Sequence, residues 1–282
     1  MSTEIRIRPR RNWFRLDARE VWEYRDLLWL LVRRDFVAKY RQTILGPAWF
    51  VIQPVAMTVI FTVVFGQVAR IPTDGLPPFL FYLCGMLAWS YFASTMGTIS
   101  NTFTANAHLF GKVYFPRLVV PLSVAISNGF AWIIQAMTFA GFWVYFRYFT
   151  EVGTHLAGPG LGLGLVVLLL VLSGMLAVGV GLWFSSATAK YKDLGHGLGL
   201  ITQLWLYATP IIYPLSQVPE RWRWLAELNP MATIAEGYRW VLLGQGTLSE
   251  FGVAWGLGGA ATVLVTGIMI FNRVERTFID TV

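Results

Sequence analysis

One uncharged stretch, residues Ile44–Gly66, limits what this chain can fold into. It reads ILGPAWFVIQPVAMTVIFTVVFG and holds 23 residues without an acid or a base. A helix rises about 1.5 Å per residue, so the stretch reaches about 34 Å and can cross a bilayer core of about 30 Å. Only 13% of the 282 residues are charged, whereas soluble domains carry about 25%. The sequence therefore predicts an all-α polytopic membrane protein.

Further apolar stretches follow, and we expect six transmembrane helices. Residues 214–250 carry too many charges to cross but hold three tryptophans, so we expect short re-entrant gate helices at the outer interface before the last span. Residues 1–43 are expected to form a basic arm and an amphipathic helix, from Asp17 to Phe36, whose apolar side faces the membrane interface. Residues 44–282 then form the transmembrane domain. The predicted spans are 44–66, 79–103, 118–146, 161–184, 196–213 and 251–271.

Two spans carry residues that predict local geometry. Pro47 and Pro54 lie in the first span, where a missing backbone N–H favours a bend. Gly174, Gly179 and Gly181 lie in the fourth span. Small residues allow helices to approach closely in membranes, so we expect a tightly packed neighbour at these glycines.

The basic residues predict the orientation. With six spans, 17 of the 22 Lys and Arg residues fall on the side that holds both termini, and five fall on the other side. Because cytoplasmic loops carry the excess of Lys and Arg, both termini are expected in the cytoplasm.

Recognisable catalytic patterns are missing from the sequence. The three histidines, His108, His155 and His196, do not have metal-ligand spacing, so we expect no metal site and no catalytic residue in this chain. The phosphate-binding pattern G-x-x-x-x-G-K-S/T does not occur. No predicted span has an acid, Lys or Arg at its centre, as ion-coupled carriers usually do. Energy for any transport must then come from another polypeptide, or the protein is passive.

Several motifs occur in order along the chain, beginning with RRDFVAKYRQTILGPAWFVIQPV at 33–55, continuing with VYFPRLVVPLS and ending with VERTFIDTV. In this order they resemble the type-2 ABC exporter permeases, and most closely their polysaccharide and O-antigen export branch. RRDFVAKYRQTILGPAWFVIQPV resembles the opening of these permeases, and VYFPRLVVPLS at 113–123 resembles their first coupling region. The stretches 189–199, 207–220 and 228–244 also fall where the family has its own versions. The final VERTFIDTV resembles an ending often written E-x-x-F-A-D, with Ile279 in place of the usual alanine.

The resemblance implies a homodimer in the bacterial inner membrane that binds two copies of a cytosolic ABC ATPase subunit. No cofactor is expected in this chain, because ATP and Mg would bind the partner ATPase, and no nucleic acid partner is expected. The cytosolic loops 104–117 and 187–195 would contact the ATPase, although ordinary positive-inside loops have the same composition. The residues expected in these coupling loops are His108, Lys112, Tyr114, Arg117, Lys190, Lys192 and Asp193.

The implied substrate is a polysaccharide on a lipid diphosphate. Arginine binds phosphate through strong, charge-assisted bonds, so basic residues near the cytosolic interface are candidates for the diphosphate, with contact to ordinary lipid headgroups as the alternative. These are Arg33, Arg34, Lys39 and Arg41. Aromatic rings can stack on sugars, with an aromatic belt or helix packing as the alternative. The candidate channel-lining aromatics are Trp49, Phe50, Trp205, Tyr207 and Tyr213.

Other functions remain open at this point. The same fold could export teichoic acid, capsule, a drug or a small lipid, and the aromatic content favours sugars. A membrane-embedded transferase acting on lipid-linked sugars is the alternative from another class. It would need a carboxylate or histidine at a cavity, for which Asp74 and Glu151 are the candidates.

Overall fold

The fold is that of a computed structural model, which describes residues 18–38, 43–110, 115–151, 162–191 and 193–279. Every regular element within these ranges is helical, which confirms the all-α prediction. The α-helices of the described chain are α1 Ala18–Glu23, α2 Arg25–Ala38, α3 Trp49–Phe61, α4 Pro78–Ile99, α5 Thr102–Phe110, α6 Val119–Phe149, α7 Gly162–Lys190, α8 Leu194–Ala208, α9 Glu220–Glu227, α10 Pro230–Leu243 and α11 Glu250–Ile279.

Helical stretches long and apolar enough to cross a membrane make this a multi-pass membrane protein. The described residues contain five of them: Gly46–Val68, Pro78–Ile99, Val119–Phe149, Gly164–Lys190 and Glu250–Glu275. The predicted fifth span, 196–213, corresponds to α8, which has 15 residues and a length of about 22 Å, shorter than a bilayer core of about 30 Å. The count of six therefore stays a prediction.

The first span combines three helix types. A 3-10 turn, Gly46–Ala48, contains Pro47, and α3 continues through Pro54 before the chain widens into a π-helix over Thr62–Val68. The hydroxyl of Thr58 donates a hydrogen bond to the Pro54 carbonyl at 2.8 Å. Pro54 therefore lies inside the helix without ending it.

Helix α4 is the centre of the fold. Within its apolar window, 78% of the residues are buried inside the protein, against 17% for the first span. It packs against α3, α6, α7 and α10. The predicted second span ended at Phe103, but α4 ends at Ile99 and a separate helix, α5, begins at Thr102. The side chain of Thr102 bonds the Ile99 carbonyl at this break.

Helices α7 and α11 cross at glycines. A Cβ added to Gly267 would lie 2.5 Å from the carbonyl oxygen of Gly179, and one added to Gly179 would lie 2.6 Å from the backbone of Val263. A Cβ on Gly181 would lie 2.8 Å from the side chain of Ile99. The predicted close approach at the glycines of the fourth span is confirmed.

The amphipathic helix near the N-terminus packs against protein rather than lipid on part of its apolar face. It is divided into α1 and α2 at Tyr24, and Leu31 and Val32 are buried, 2% and 3% exposed. Leu31 forms one cluster with Phe115 and Val119 at the start of α6. The prediction that this whole face meets the membrane is therefore wrong at Leu31, because an apolar stripe can be buried by protein as well as by lipid.

Two short helices precede α11, as the composition of residues 214–250 predicts. Asn229 caps α10 by accepting a bond from the Met231 N–H, and Pro230 occupies the first turn. Gly244 ends the helix in the left-handed conformation, with φ of 72°. Most of α10 is buried against α4, α7 and α11. Its service as an outer gate stays a prediction.

Candidate transport groove and coupling surfaces

An aromatic groove lies where α8 ends and α9 begins. Its volume is about 580 Å³. The rings of Trp205 on α8, Tyr213 on the following turn and Trp222 on α9 line it, together with the amide of Asn229. We call this feature the aromatic groove.

Two prolines shape the turn that carries Tyr213. Helix α8 stops at Ala208, and Thr209 takes an extended conformation, with φ of −96° and ψ of 141°. A residue before proline is disfavoured in the helical region, and Pro210 follows Thr209. Pro214 is also extended and leads into a short 3-10 turn, Leu215–Gln217. Helix α8 therefore ends before the two prolines, and the segment that carries Tyr213 leaves the helical course.

Asn229 fixes one wall of the groove. Its side-chain oxygen accepts hydrogen bonds from the Trp205 indole N–H at 3.1 Å and from the Met231 N–H at 3.1 Å. Its side-chain nitrogen donates to the Thr209 hydroxyl at 2.8 Å. The Trp205 ring also packs edge-on against Phe92 of α4, with 5.1 Å between ring centroids. The indole is therefore held from two sides, while part of its surface faces the groove.

The five aromatic residues predicted to line a channel lie in two separate places in the structure. Trp205 and Tyr213 line the groove. Tyr207 lies beside them, because the Tyr213 hydroxyl donates to its carbonyl at 3.4 Å. Trp49 and Phe50 lie elsewhere, at the start of α3, where Phe50 packs near Phe36 at 6.4 Å.

Sequence analysis did not assign Trp222 to this site. The residue lies on an eight-residue helix, ERWRWLAE, half of whose residues are charged. Its pattern is typical of an interfacial helix, and only the turn at Pro210 and Pro214 brings it opposite Trp205. A local sequence pattern carries no signal of such a long-range approach.

A fully buried ion pair lies behind the groove, in α10. The Arg239 Nη1 donates to Glu236 Oε1 at 2.7 Å, and both side chains are 1% exposed. The guanidinium carbon of Arg239 lies 3.8 Å from the centre of the Phe81 ring on α4. From the sequence these charges indicated an interfacial segment, because helical periodicity does not show which charges find a partner inside the protein.

Arg117 of the predicted first coupling region points into the protein. It is 6% exposed, donates to the Glu275 backbone carbonyl at 2.9 Å and lies 3.6 Å from the Glu275 carboxylate. Its guanidinium also lies 5.0 Å from the centre of the Phe110 ring. Burial lowers the pKa of Arg117, and the Glu275 carboxylate opposes that shift. Arg117 therefore ties the start of α6 to the end of α11.

The predicted second coupling region exposes charged side chains at the α7–α8 turn. Lys190 is exposed, with its ammonium 5.2 Å from the centre of the Tyr191 ring. Asp193 is exposed and caps α8 by accepting from the Leu194 N–H at 3.1 Å. The predictions for Lys112, Tyr114, Lys192 and the side chain of His108 lie outside the described residues.

Two of the four predicted diphosphate ligands are placed. Arg33 and Arg34 are exposed on α2, and Arg34 pairs with Asp35 at 2.8 Å. Lys39 and Arg41 lie outside the described residues. The two arginines therefore share an accessible helix, and Arg34 already has a carboxylate partner.

Asp74, a carboxylate considered for the transferase alternative, lies in the turn between the first span and α4. Both of its oxygens accept from the Ser216 hydroxyl, at 2.8 and 2.9 Å. This contact joins the turn to the 3-10 segment beside the aromatic groove.

Comparison with known proteins identifies the family. A family profile described as ABC-2 type transporter matches residues 26–243. Two Klebsiella pneumoniae proteins named O-antigen export system permease protein RfbA are 26% and 25% identical over 255 residues, covering 90% of this chain and 94% of each relative. A Myxococcus xanthus protein of the same name is 31% identical over 227 residues, covering 79% of this chain and 82% of that relative. The chain belongs to the ABC-2 type transporter family, as its motifs predict.

Proposed function

We propose that this chain is the membrane-spanning permease subunit of an ABC exporter that moves a lipid-linked, O-antigen-like polysaccharide from the cytoplasm to the periplasm. The observation that carries the proposal is the match to O-antigen export permeases over 90% of the chain. The aromatic groove supports the same class of substrate, because flat rings offer apolar faces to the C–H faces of sugars.

Two copies of the chain would form the channel, in the inner membrane and with cytoplasmic termini, and a separate ATPase subunit would drive it. The sequence carries no phosphate-binding loop of its own, so ATP and Mg would bind the partner. The exposed Lys190 and Asp193 offer charged contacts for that subunit. Arg117 would act differently, by holding the first coupling region against the end of α11.

The two ends of the substrate would meet different surfaces. The diphosphate of the carrier lipid is anionic, and Arg33 and Arg34 present guanidinium groups on an accessible helix. Charge-assisted, bidentate bonds from arginine suit phosphate. The sugars would contact Trp205, Tyr213 and Trp222 as they pass the groove.

Two tryptophans on α9 give a matched test. Trp222 and Trp224 are 50% and 56% exposed, but only Trp222 lines the aromatic groove. In a host whose copy of this gene is deleted, the wild-type gene should restore surface O-polysaccharide. Trp222→Ala should restore it about tenfold less well, the scale of losing about 1.4 kcal/mol of favourable contact, and Trp224→Ala should restore it fully.

Surface polysaccharide that is unchanged by deletion of the gene would contradict the proposed substrate. Equal loss with Trp222→Ala and Trp224→Ala, at equal amounts of membrane-inserted protein, would contradict the role of the groove. Polymer that accumulates inside the deletion strain on its lipid carrier would place the block at export rather than at synthesis.

A further inference from the structure

We infer that Glu236 and Arg239 form a positioning pair, which holds the turn at residues 209–215, between α8 and the 3-10 segment, and thereby the wall of the aromatic groove. This inference rests on the proposed function for its consequence in transport, but its structural part can be tested without a substrate. Neither the sequence motifs nor the comparisons assign a role to these two residues.

The pair replaces a hydrogen bond that a continuing helix would make. In a helix, the N–H of Leu215 would donate to the carbonyl of Ile211, four residues earlier. Here the Leu215 N–H donates to Glu236 Oε1 at 3.1 Å, and the Ile211 carbonyl accepts from Arg239 Nη2 at 2.8 Å. The two charged side chains therefore stand between the two backbone groups and satisfy both of them.

The pair also reaches the loop after α10. The N–H of Thr247 donates to Glu236 Oε2 at 2.9 Å. A Cβ on Gly246 would lie 2.6 Å from the Glu236 carbonyl oxygen, so the loop runs directly against α10. Each carboxylate oxygen of Glu236 thus holds a different segment, one leading to the groove and one leading to α11.

Helix α4 packs against the ion pair. Arg239 stacks on Phe81, and a Cβ on Gly85 would lie 3.3 Å from Arg239 Nη2 and 3.1 Å from the Ile211 side chain. Glycine at this position leaves room for the guanidinium to reach the Ile211 carbonyl. The turn, α10, the loop and α4 therefore meet at one pair of charges.

Replacing both partners of the buried ion pair removes its hydrogen bonds to the turn without leaving a buried charge unpaired. Removing one partner leaves a buried charge uncompensated and destabilises a protein strongly, whereas replacing both by apolar residues of similar size is often tolerated. The apolar double variant Glu236→Leu/Arg239→Met should therefore fold, but it cannot bond Ile211, Leu215 or Thr247. The turn would lose two hydrogen bonds and the loop after α10 would lose one, while the core stays filled.

The test measures the mobility of the turn directly. A spin label on Gln217→Cys, an exposed residue at the end of the 3-10 segment, would report motion of the turn in purified, membrane-reconstituted protein. The single native cysteine, Cys84, is buried and would be replaced by alanine. The double variant should keep the wild-type helix content, although its unfolding temperature should fall because three backbone groups lose their partners, and the label should be clearly more mobile.

A second pair serves as the control. Replacing Arg117 and Glu275, which interact near the C-terminal end of α11, by methionine and leucine should leave the label at 217 as ordered as in the wild type.

Export by the Glu236→Leu/Arg239→Met variant should fall about tenfold, the scale expected from lost hydrogen bonds to charged groups.

A single conservative variant covers the case in which the double variant does not fold. In Arg239→Lys, one ammonium cannot lie flat on Phe81 and also reach both Glu236 and the Ile211 carbonyl, so the label should again become more mobile. Wild-type label mobility in the folded double variant, or in Arg239→Lys, would overturn the inference. Increased mobility with no change in polysaccharide export would uphold the positioning role and contradict only its link to the proposed function.

Discussion

The side chain of Asn229 makes three hydrogen bonds at the aromatic groove. It caps α10, holds the Trp205 indole and bonds the Thr209 hydroxyl at the turn after α8. A single amide thus connects a ring that faces the groove to the helix that carries the buried ion pair. This explains why an asparagine precedes Pro230: the cap and the ring need the oxygen, and the turn needs the nitrogen.

We predict that Asn229→Ala lowers the free energy of unfolding by about 1–2 kcal/mol, because an N-cap is lost and the Trp205 N–H loses its acceptor. Asn229→Asp keeps the acceptor for both Met231 and Trp205, so it should lose less stability. Chemical unfolding in detergent, followed by tryptophan fluorescence, measures both. Equal stability of the alanine variant and the wild type would contradict the role assigned to this side chain.

The residues of the groove were only partly predictable. Trp205 and Tyr213 could be proposed because aromatic rings can stack on sugars, whereas Trp222 lies on a helix whose local pattern is that of an interface. Glu236 and Arg239 could not be interpreted from spacing alone. Their partners, Ile211 and Leu215, are distant in sequence and contribute backbone atoms, which no side-chain pattern encodes.

At the scale of the elements, glycine decides how closely α7 and α11 pack. The backbone of Gly267 lies against the backbone of Gly179, and no flexible side chain separates them. Lipid tails are as apolar as leucine, so association of membrane helices depends on such close van der Waals contact. The sequence could indicate this crossing, because small residues repeated in a span favour a close neighbour, but it did not identify α11 as that neighbour.

We predict that Gly267→Ala destabilises the protein by about 1–3 kcal/mol, the usual cost of inserting a methyl group into a packed contact. The added Cβ would lie 2.5 Å from a carbonyl oxygen and 2.9 Å from a Cα of α7, so the helices would have to separate. Gly258→Ala is the matched control on α11, because nothing lies within 4 Å of its Cβ. An equal drop of the unfolding temperature in both variants would contradict the close crossing of α7 and α11.

Length and periodicity predicted most helices, but they did not predict what each helix faces. The face of α2 that was expected to meet lipid buries Leu31 against α6, and α10, placed in the interface for its charges, is largely buried. A hydrophobic stripe identifies a buried face without naming the surface that covers it. Charges, likewise, exclude a helix from lipid without excluding it from a protein interior that supplies partners.

At the scale of the whole molecule, the account assigns opposite sides of the membrane to the α7–α8 turn and to the aromatic groove. We predict that Lys190→Cys, in a Cys84→Ala background, reacts with a membrane-impermeant maleimide only after the cells are opened. Gln217→Cys should react in intact cells. Both positions are exposed, so their labelling should differ only because they lie on opposite sides of the membrane. Labelling of Lys190→Cys from the outside would reverse the topology.

The central claim is that this permease moves polymer only when another subunit hydrolyses ATP for it. The most direct measurement is translocation of a lipid-linked polysaccharide in sealed vesicles that contain this chain alone, or this chain together with the ATPase subunit of its own exporter. The account predicts ATP-dependent translocation with both subunits, and neither ATP hydrolysis nor translocation with this chain alone. Uphill polymer movement or ATP turnover by the pure chain would contradict it.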